Sequence, residues 1–397
     1  MEAIKLLHNY LLKACPDMHS SRRVSLLYAV ESGLNNQQLT LTSLGRTGSG
    51  TIKVKNKIKK IDRLLGNKQL YKETDHIHRH IAATFIGDKL HPIILVDWSA
   101  VDERDKFQVL KATLAYQGRS ITILDHVELT SRPKTVKNNS HDRFLKRLKS
   151  ILPDKCKPII VTDAGFTANW FRRIEKLGWY FVGRIRGLSK MRKIGKQTWE
   201  TCNEIYLRAI NKPFFLGEYE LSKKKPINCQ LFIHKKPKIG RIARNKNGTQ
   251  MKGVYNPRKA EREPWLLASN LPESKNRVLQ IVNSYKYRMQ IEETFRDIKT
   301  PYYGLGLVKT LSNSKARIEI LLLISSLTLF VLGIIGKVGY DLNIHQHFQA
   351  NTVTNRKVLS LWFLGKQIYR NRNYKIPIKL LIISLRSIVG GILCYQI

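Results

Sequence analysis

Residues 285–299 read Tyr285-Lys-Tyr-Arg288-Met-Gln-Ile-Glu292-Glu-Thr-Phe-Arg-Asp-Ile-Lys299. On one continuous helix, at about 100° per residue, Tyr285, Arg288, Glu292 and Lys299 fall within about 60° of one another and face one target. A phenol and two cations beside a single carboxylate suit a site that grips phosphates and holds a metal ion. Two more carboxylates close apolar runs: Asp97 after Pro92-Ile-Ile-Leu-Val and Asp163 after Pro158-Ile-Ile-Val-Thr. Either one alone reads as an ordinary strand terminator or helix cap. Together, at strand ends of an open mixed sheet, they project into the crevice where ligands bind. With Glu292 on a helix closing over that sheet, they supply three hard oxygen ligands. Such a set suits two Mg²⁺ ions about 4 Å apart, with Mn²⁺ as a substitute, and the matching reaction is phosphodiester displacement.

The elements that must position these residues follow from periodicity. Residues 1–85 read as helical and basic. A first helix stops at Pro16, a second is capped by Ser20 or Ser21, and a short third runs from Leu39 to a terminating Gly45. After Gly48-Ser-Gly50 comes an amphipathic helix whose cationic face includes Lys55, Lys59 and Arg63. A helix-turn-helix-like grouping of this charge is expected to meet nucleic acid, against the bland reading of a solvated lysine face.

Residues 86–186 switch to strands: 91–99, 107–116 and 120–127, then a helix, the Asp163 strand, a second helix and the strand 179–185. That order predicts a mixed sheet with helices on its faces. Residues 187–271 read as a β-rich insertion, with ten Lys or Arg and one Glu between Lys235 and Arg262. Residues 272–345 return to helix, and 346–397 form a basic, helical end. The uncharged stretch from Ile320 to Gly336 is 17 residues long. A membrane span usually needs about 20, so a buried core helix is expected.

The bulk composition agrees. Lys plus Arg outnumber Asp plus Glu by 70 to 29 over 397 residues, giving a formal net charge of +41, so a polyanion is the expected partner. The five cysteines are scattered and show no Cys-x₂-Cys pair, which speaks against a disulfide scaffold or zinc knuckle and fits a reduced intracellular compartment. Charged residues interrupt the first apolar residues, so no signal peptide is expected.

Asp97, Asp163 and Glu292, with Tyr285, Arg288 and Lys299, resemble the DDE triad and Tyr-Arg-Glu-Lys signature of bacterial insertion-sequence transposases. The likeness is to the hairpin-forming cut-and-paste family that includes the Tn-ten and Tn-five types. The resemblance implies an α/β, ribonuclease-H-like catalytic core interrupted by a β-rich insertion, behind an all-helical DNA-binding domain. It also implies a DNA transposase that binds terminal inverted repeats, excises the element by metal-dependent cleavage through a hairpin, and joins it to target DNA. Implied partners are double-stranded DNA and a second copy of the chain in the synaptic complex, with no membrane and no nucleotide cofactor. The implied location is the bacterial cytoplasm, at the nucleoid. In the family an aromatic residue of the insertion holds a base pulled from the stack, and Trp265 is the matching position; its plain alternative is a core strand residue. Met289 is a candidate wedge beside Arg288.

Three signals are set aside. The histidines of Asp75-His-Ile-His-Arg-His80 fall on different helix faces, so a metal cluster is not expected. Gly45-Arg-Thr-Gly-Ser-Gly50 lacks the Gly-Lys-Ser/Thr of a phosphate loop and reads as a linker. Glu293 lies about 100° from the Glu292 stripe. The competing functional readings are an inactive regulator of element ends and a DNA nuclease without a joining step.

Overall fold

The computed structural model describes residues 2–395 apart from 37, 131–133, 236–262, 303, 351, 353–355 and 372, with only the backbone of 134–138. The cation-rich stretch between Lys235 and Arg262 falls almost wholly outside the described residues. The chain forms two compact units, one of residues 1–156 with 289–396 and the other of 157–288. These units cut across the segments that periodicity suggests.

The first unit opens with α1 (Glu2–Ala14), α2 (Ser20–Asn35), α3 (Leu41–Thr47), α4 (Val54–Leu65) and α5 (Lys68–Ile86). Two local readings change. The cap of α2 is His19, whose Nδ1 accepts from the Ser21 backbone N–H at 3.3 Å. Gly45 does not end α3 but lies inside it, because α4 crosses there: a Cβ at Gly45 would stand 2.7 Å from the Ile58 Cα.

An antiparallel sheet in the order β3-β2-β1 follows, from β1 (Ile93–Ala100), β2 (Phe107–Ala115) and β3 (Ser120–Leu129). Side chains alternate between its faces. One face meets α6 (Lys134–Ile151) through Trp98–His141 and His126–Phe144 contacts. The other carries an in-register row, Asp97, Lys111 and Asp125. Against that row lie α5, α10 (Met289–Lys299) and α11 (Lys315–Asp341), seen in the reach of Ser326 of α11 to Asp125 at 3.5 Å.

Every residue of α11 from Ile318 to Gly336 is buried in this unit. The helix is long and apolar enough to cross a membrane, but here it is a core helix wrapped by α2, α5, β3, α12 (Leu361–Arg370) and α13 (Ile378–Gly390). Beyond α13 the chain adds to the edge of β1: Ile93 donates to the Leu393 carbonyl at 3.1 Å and Tyr395 to that of His91 at 3.1 Å.

The second unit orders its strands β4-β5-β10-β9-β8-β6-β7. These are β4 (Ile159–Thr162), β5 (Tyr180–Ile185), β6 (Lys190–Lys193), β7 (Glu200–Thr201), β8 (Phe214–Leu221), β9 (Ile227–His234) and β10 (Trp265–Ser269). The β4–β5 pair is parallel and the others are antiparallel, as the crossover through α7 (Ala168–Lys176) requires. A short α8 (Cys202–Tyr206) and α9 (Arg277–Tyr287) complete it. Gly183 faces Phe171 of α7, so its neighbour Arg184 points to the opposite face, the one α9 covers.

Candidate active site

Asp97 is the fifth residue of β1, not its last, and three half-buried residues continue the strand to Ala100. Its side chain turns back to accept the Trp98 backbone N–H at 2.8 Å. Ser99, two residues on, shares its face and accepts a hydrogen bond from Lys299 Nζ at 2.8 Å. That bond orients α10. Glu292, Phe295 and Lys299 form one helical stripe, and Phe295 lies 5.9 Å from Lys111 Nζ and 5.8 Å from Lys299 Nζ. The Glu292 stripe is therefore turned onto the face of β1 and β2 that carries Asp97.

The tip of the β2–β3 hairpin holds α10 in this register. Gln290 Oε1 accepts the Tyr116 N–H at 2.9 Å, the Ser120 and Thr294 hydroxyls meet at 2.8 Å, and Arg119 donates to Asp297 at 2.8 Å. Glu293 is absorbed by ion pairs to Arg296 at 2.8 Å and Arg119 at 3.5 Å, on the side away from the stripe. Burial lowers the Lys299 ammonium below its ordinary value.

The backbone expected to be helical from Tyr285 to Lys299 stays right-handed helical through Arg288, but its hydrogen-bond ladder does not run unbroken. It is interrupted at Arg288, which ends α9 with its N–H on the Tyr285 carbonyl at 3.1 Å, and α10 starts at Met289. The boundary between the compact units falls at the same bond. Tyr285 and Arg288 thus belong with Asp163, whereas Glu292 and Lys299 belong with Asp97.

In the second unit Asp163 follows β4 directly, and its Oδ1 accepts the Gly165 N–H at 2.8 Å. Tyr285 is only 3% exposed, its ring edge-on to Trp265 at 4.8 Å. Burial raises its phenol, the Arg288 and Arg184 guanidinium groups pull it down, and Asp163 raises it further. Asp163, Tyr285, Arg288, Arg184 and Trp265 are therefore neighbours. Trp265 is half-buried at the start of β10, and Met289 is 47% exposed.

Lys111, Asp125 and Arg184 escape a reading by motif. Lys111, fully buried, pairs with Asp125 at 2.5 Å and stands opposite Asp97 across the β1–β2 ladder. Arg184 has its Nε and Nη2 buried without hydrogen-bond partners, and Glu263 lies 3.7 Å away. The available signal was a charge at an inward position of an apolar strand, in Val-Leu-Lys-Ala-Thr-Leu and Phe-Val-Gly-Arg-Ile.

In the helical part, Lys55, Lys59 and Arg63 are exposed on α4. Lys57, between them on the same helix, is buried and donates to the Gly48 carbonyl at 2.8 Å. His76 is exposed, His78 is buried, and His80 packs on Tyr10 at 4.5 Å, so the three do not converge.

Within neither unit do three His, Cys, Asp or Glu side chains gather at metal-holding distance among the described residues. The donor chemistry still fits a hard divalent ion. Each carboxylate is half-buried, and Asp97 and Asp163 each accept an adjacent backbone N–H on one oxygen.

The half-buried carboxylates, each with cations and aromatics in its own unit, are a donor set suited to a metal-dependent enzyme acting on phosphodiesters. The family model for the transposase DDE domain matches residues 88–329, more than half of the chain, and the protein belongs to that family. It is a DDE transposase, a class that uses divalent metal ions to cleave and transfer DNA strands, and its mixed α/β architecture is consistent with the ribonuclease-H-like core of such enzymes. No curated protein matches the chain.

Proposed function

We propose that the protein excises an insertion sequence from DNA and joins it to a new target, with Asp97, Asp163 and Glu292 as the metal-ligating catalytic residues. The observation that carries this reading is the Lys299–Ser99 bond, which turns the Glu292 stripe onto the Asp97 face. Two divalent ions, Mg²⁺ with Mn²⁺ as substitute, would activate the attacking oxygen and stabilise the leaving one when bound.

The remaining steps fall to side chains. Arg288 and Lys299 neutralise the scissile strand's phosphates, and Tyr285, its proton held by burial, donates to a phosphate oxygen. Trp265, half-buried and backed by Tyr285, holds a base drawn out of the stack while the strand folds into a hairpin. Met289, exposed beside Arg288, wedges the strand apart. The exposed face of α4 binds the element's terminal repeats, and two copies bring the two ends together, at the bacterial nucleoid.

The test is incubation with the element's own end DNA and Mg²⁺, followed by analysis for nicks, hairpins and joined products. Asp97→Ala, Asp163→Ala and Glu292→Ala should each abolish cleavage and leave end binding intact, because ligand loss removes the activated nucleophile and not the phosphate contacts. Cleavage near the wild-type rate by any one of them removes that residue from the site. Nicks with no hairpin would identify a nuclease that does not join strands.

A further inference from the structure

A cleft of about 510 Å³ opens beside Asp163 in the second unit, and its lining includes Arg186, Lys190, Lys223 and Lys224 with no carboxylate. Arg184 also lines it; Glu263, which pairs with Arg186 at 2.6 Å and approaches Arg184 at 3.7 Å, offsets one of the five charges. The cations are brought together by construction. Ser222, in the left-handed region at φ 76°, turns the chain between β8 and β9 and ties it to β6 through its N–H on the Lys190 carbonyl at 3.0 Å. The Trp199 ring lies 4.9 Å from the Arg192 guanidinium and 5.9 Å from Lys223 Nζ, which holds Lys223 at the rim. Ala164 and Phe166, one and three residues past Asp163, belong to the lining.

We infer that this cleft binds the backbone of single-stranded DNA, about one or two nucleotides next to the strand that Asp163 serves. A volume of this size holds a small ligand and excludes a duplex. A groove with an excess of cations, even with Glu263 on Arg184 and Arg186 and Glu204 in the field of Lys190, and with an apolar lining of Phe166, Ile185 and Leu221 is the pattern that tracks a single strand. The assignment rests on the reading of Asp163 only for its place in the reaction, not for the binding itself.

The test uses the full chain with EDTA, fluorescein-labelled oligothymidylate and a duplex of equal length, and reads anisotropy over a salt series. Lys223→Glu combined with Lys224→Glu should weaken single-strand binding by about tenfold or more. The salt slope should become shallower by about 1.4, from about 0.7 for each of two phosphates no longer neutralised. Duplex affinity should change by less than about twofold, since α4 supplies that contact. Both lysines are exposed, so the fold should survive, and an unchanged circular dichroism melt checks this. Unchanged single-strand affinity, or equal loss on both DNAs, would overturn the inference. Asp163→Ala should bind single strands normally whether or not it cleaves, so the cleft and the catalytic reading can fail separately.

Discussion

Tyr285 combines two functions that substitution can separate. Its ring packs against Trp265, while its hydroxyl lies in the field of Arg184, Arg288 and Asp163. Tyr285→Phe should fold normally and cleave end DNA about tenfold more slowly, the loss of roughly one charge-assisted hydrogen bond. Equal cleavage rates for the two proteins would reduce Tyr285 to a packing residue. Trp265→Ala should nick almost normally and stall before the hairpin, because stacking on the ring contributes about 1–3 kcal/mol per base. Equal loss of nicking and hairpin formation would make it a strand residue only.

Buried His78 sets a pH dependence of stability at the same scale. Burial lowers its pKa from 6.5 to about 4. The unfolded chain takes up a proton in that window and the folded chain does not, so stability is intact above pH 6.5 and falls as pH drops toward 4. From pH 7 to pH 5 the loss attributable to His78 is about 2 kcal/mol. His126, also lowered to about 4, acts in the same direction. Urea midpoints at both pH values should converge in His78→Leu relative to wild type, and an undiminished gap would place the effect elsewhere.

Among the elements, α10 carries Glu292 and Lys299, and its register depends on the hairpin tip that grips it. Gln290→Leu removes one of the two acceptors of the buried Tyr116 N–H, which keeps the Arg119 carbonyl at 3.0 Å, at a cost of about 0.5–1.5 kcal/mol. Because Glu292 is two residues away, DNA cleavage should also slow, measurable in the same preparation after the urea midpoint confirms folding. The α11–α12 crossing is equally tight: a Cβ at Gly365 would stand 2.0 Å from the Leu332 carbonyl oxygen. Gly365→Ala should therefore destabilise the protein by about 2 kcal/mol or more, since two helix backbones must separate. A thermal midpoint shift below about 2 °C would contradict that close approach.

For the whole molecule, the charge of +41 is divided between solvent-facing and structural cations. Lys55, Lys59 and Arg63 are exposed on α4, so reversing them should weaken end binding and lower the salt slope by about 0.9 for each phosphate no longer neutralised. Lys57→Glu should instead loosen the α3–α4 pair, because that ammonium is buried on the Gly48 carbonyl. An unchanged slope in the first variant would show a solvated face, and a changed slope with intact folding in the second would show that Lys57 binds DNA.

Much of this architecture is legible in the chain itself, because short-range periodicity reports which face of an element is buried. The strands at 107–115, 159–162, 214–221 and 265–269 match their apolar runs, and the burial of α11 follows from its uncharged core. The candidate carboxylates stand out as charges that interrupt or end such runs. Periodicity carries no information on where a helix's hydrogen-bond ladder is interrupted. The interruption at Arg288, where the boundary between the compact units falls, comes from long-range packing, α9 on β5 and β10 and α10 on β1 and β3. Gly45 inside α3, Lys111 opposite Asp97 and the return of residues 393–395 to β1 have the same origin. Each satisfies a partner more than ten residues away, and only the tertiary structure supplies that partner.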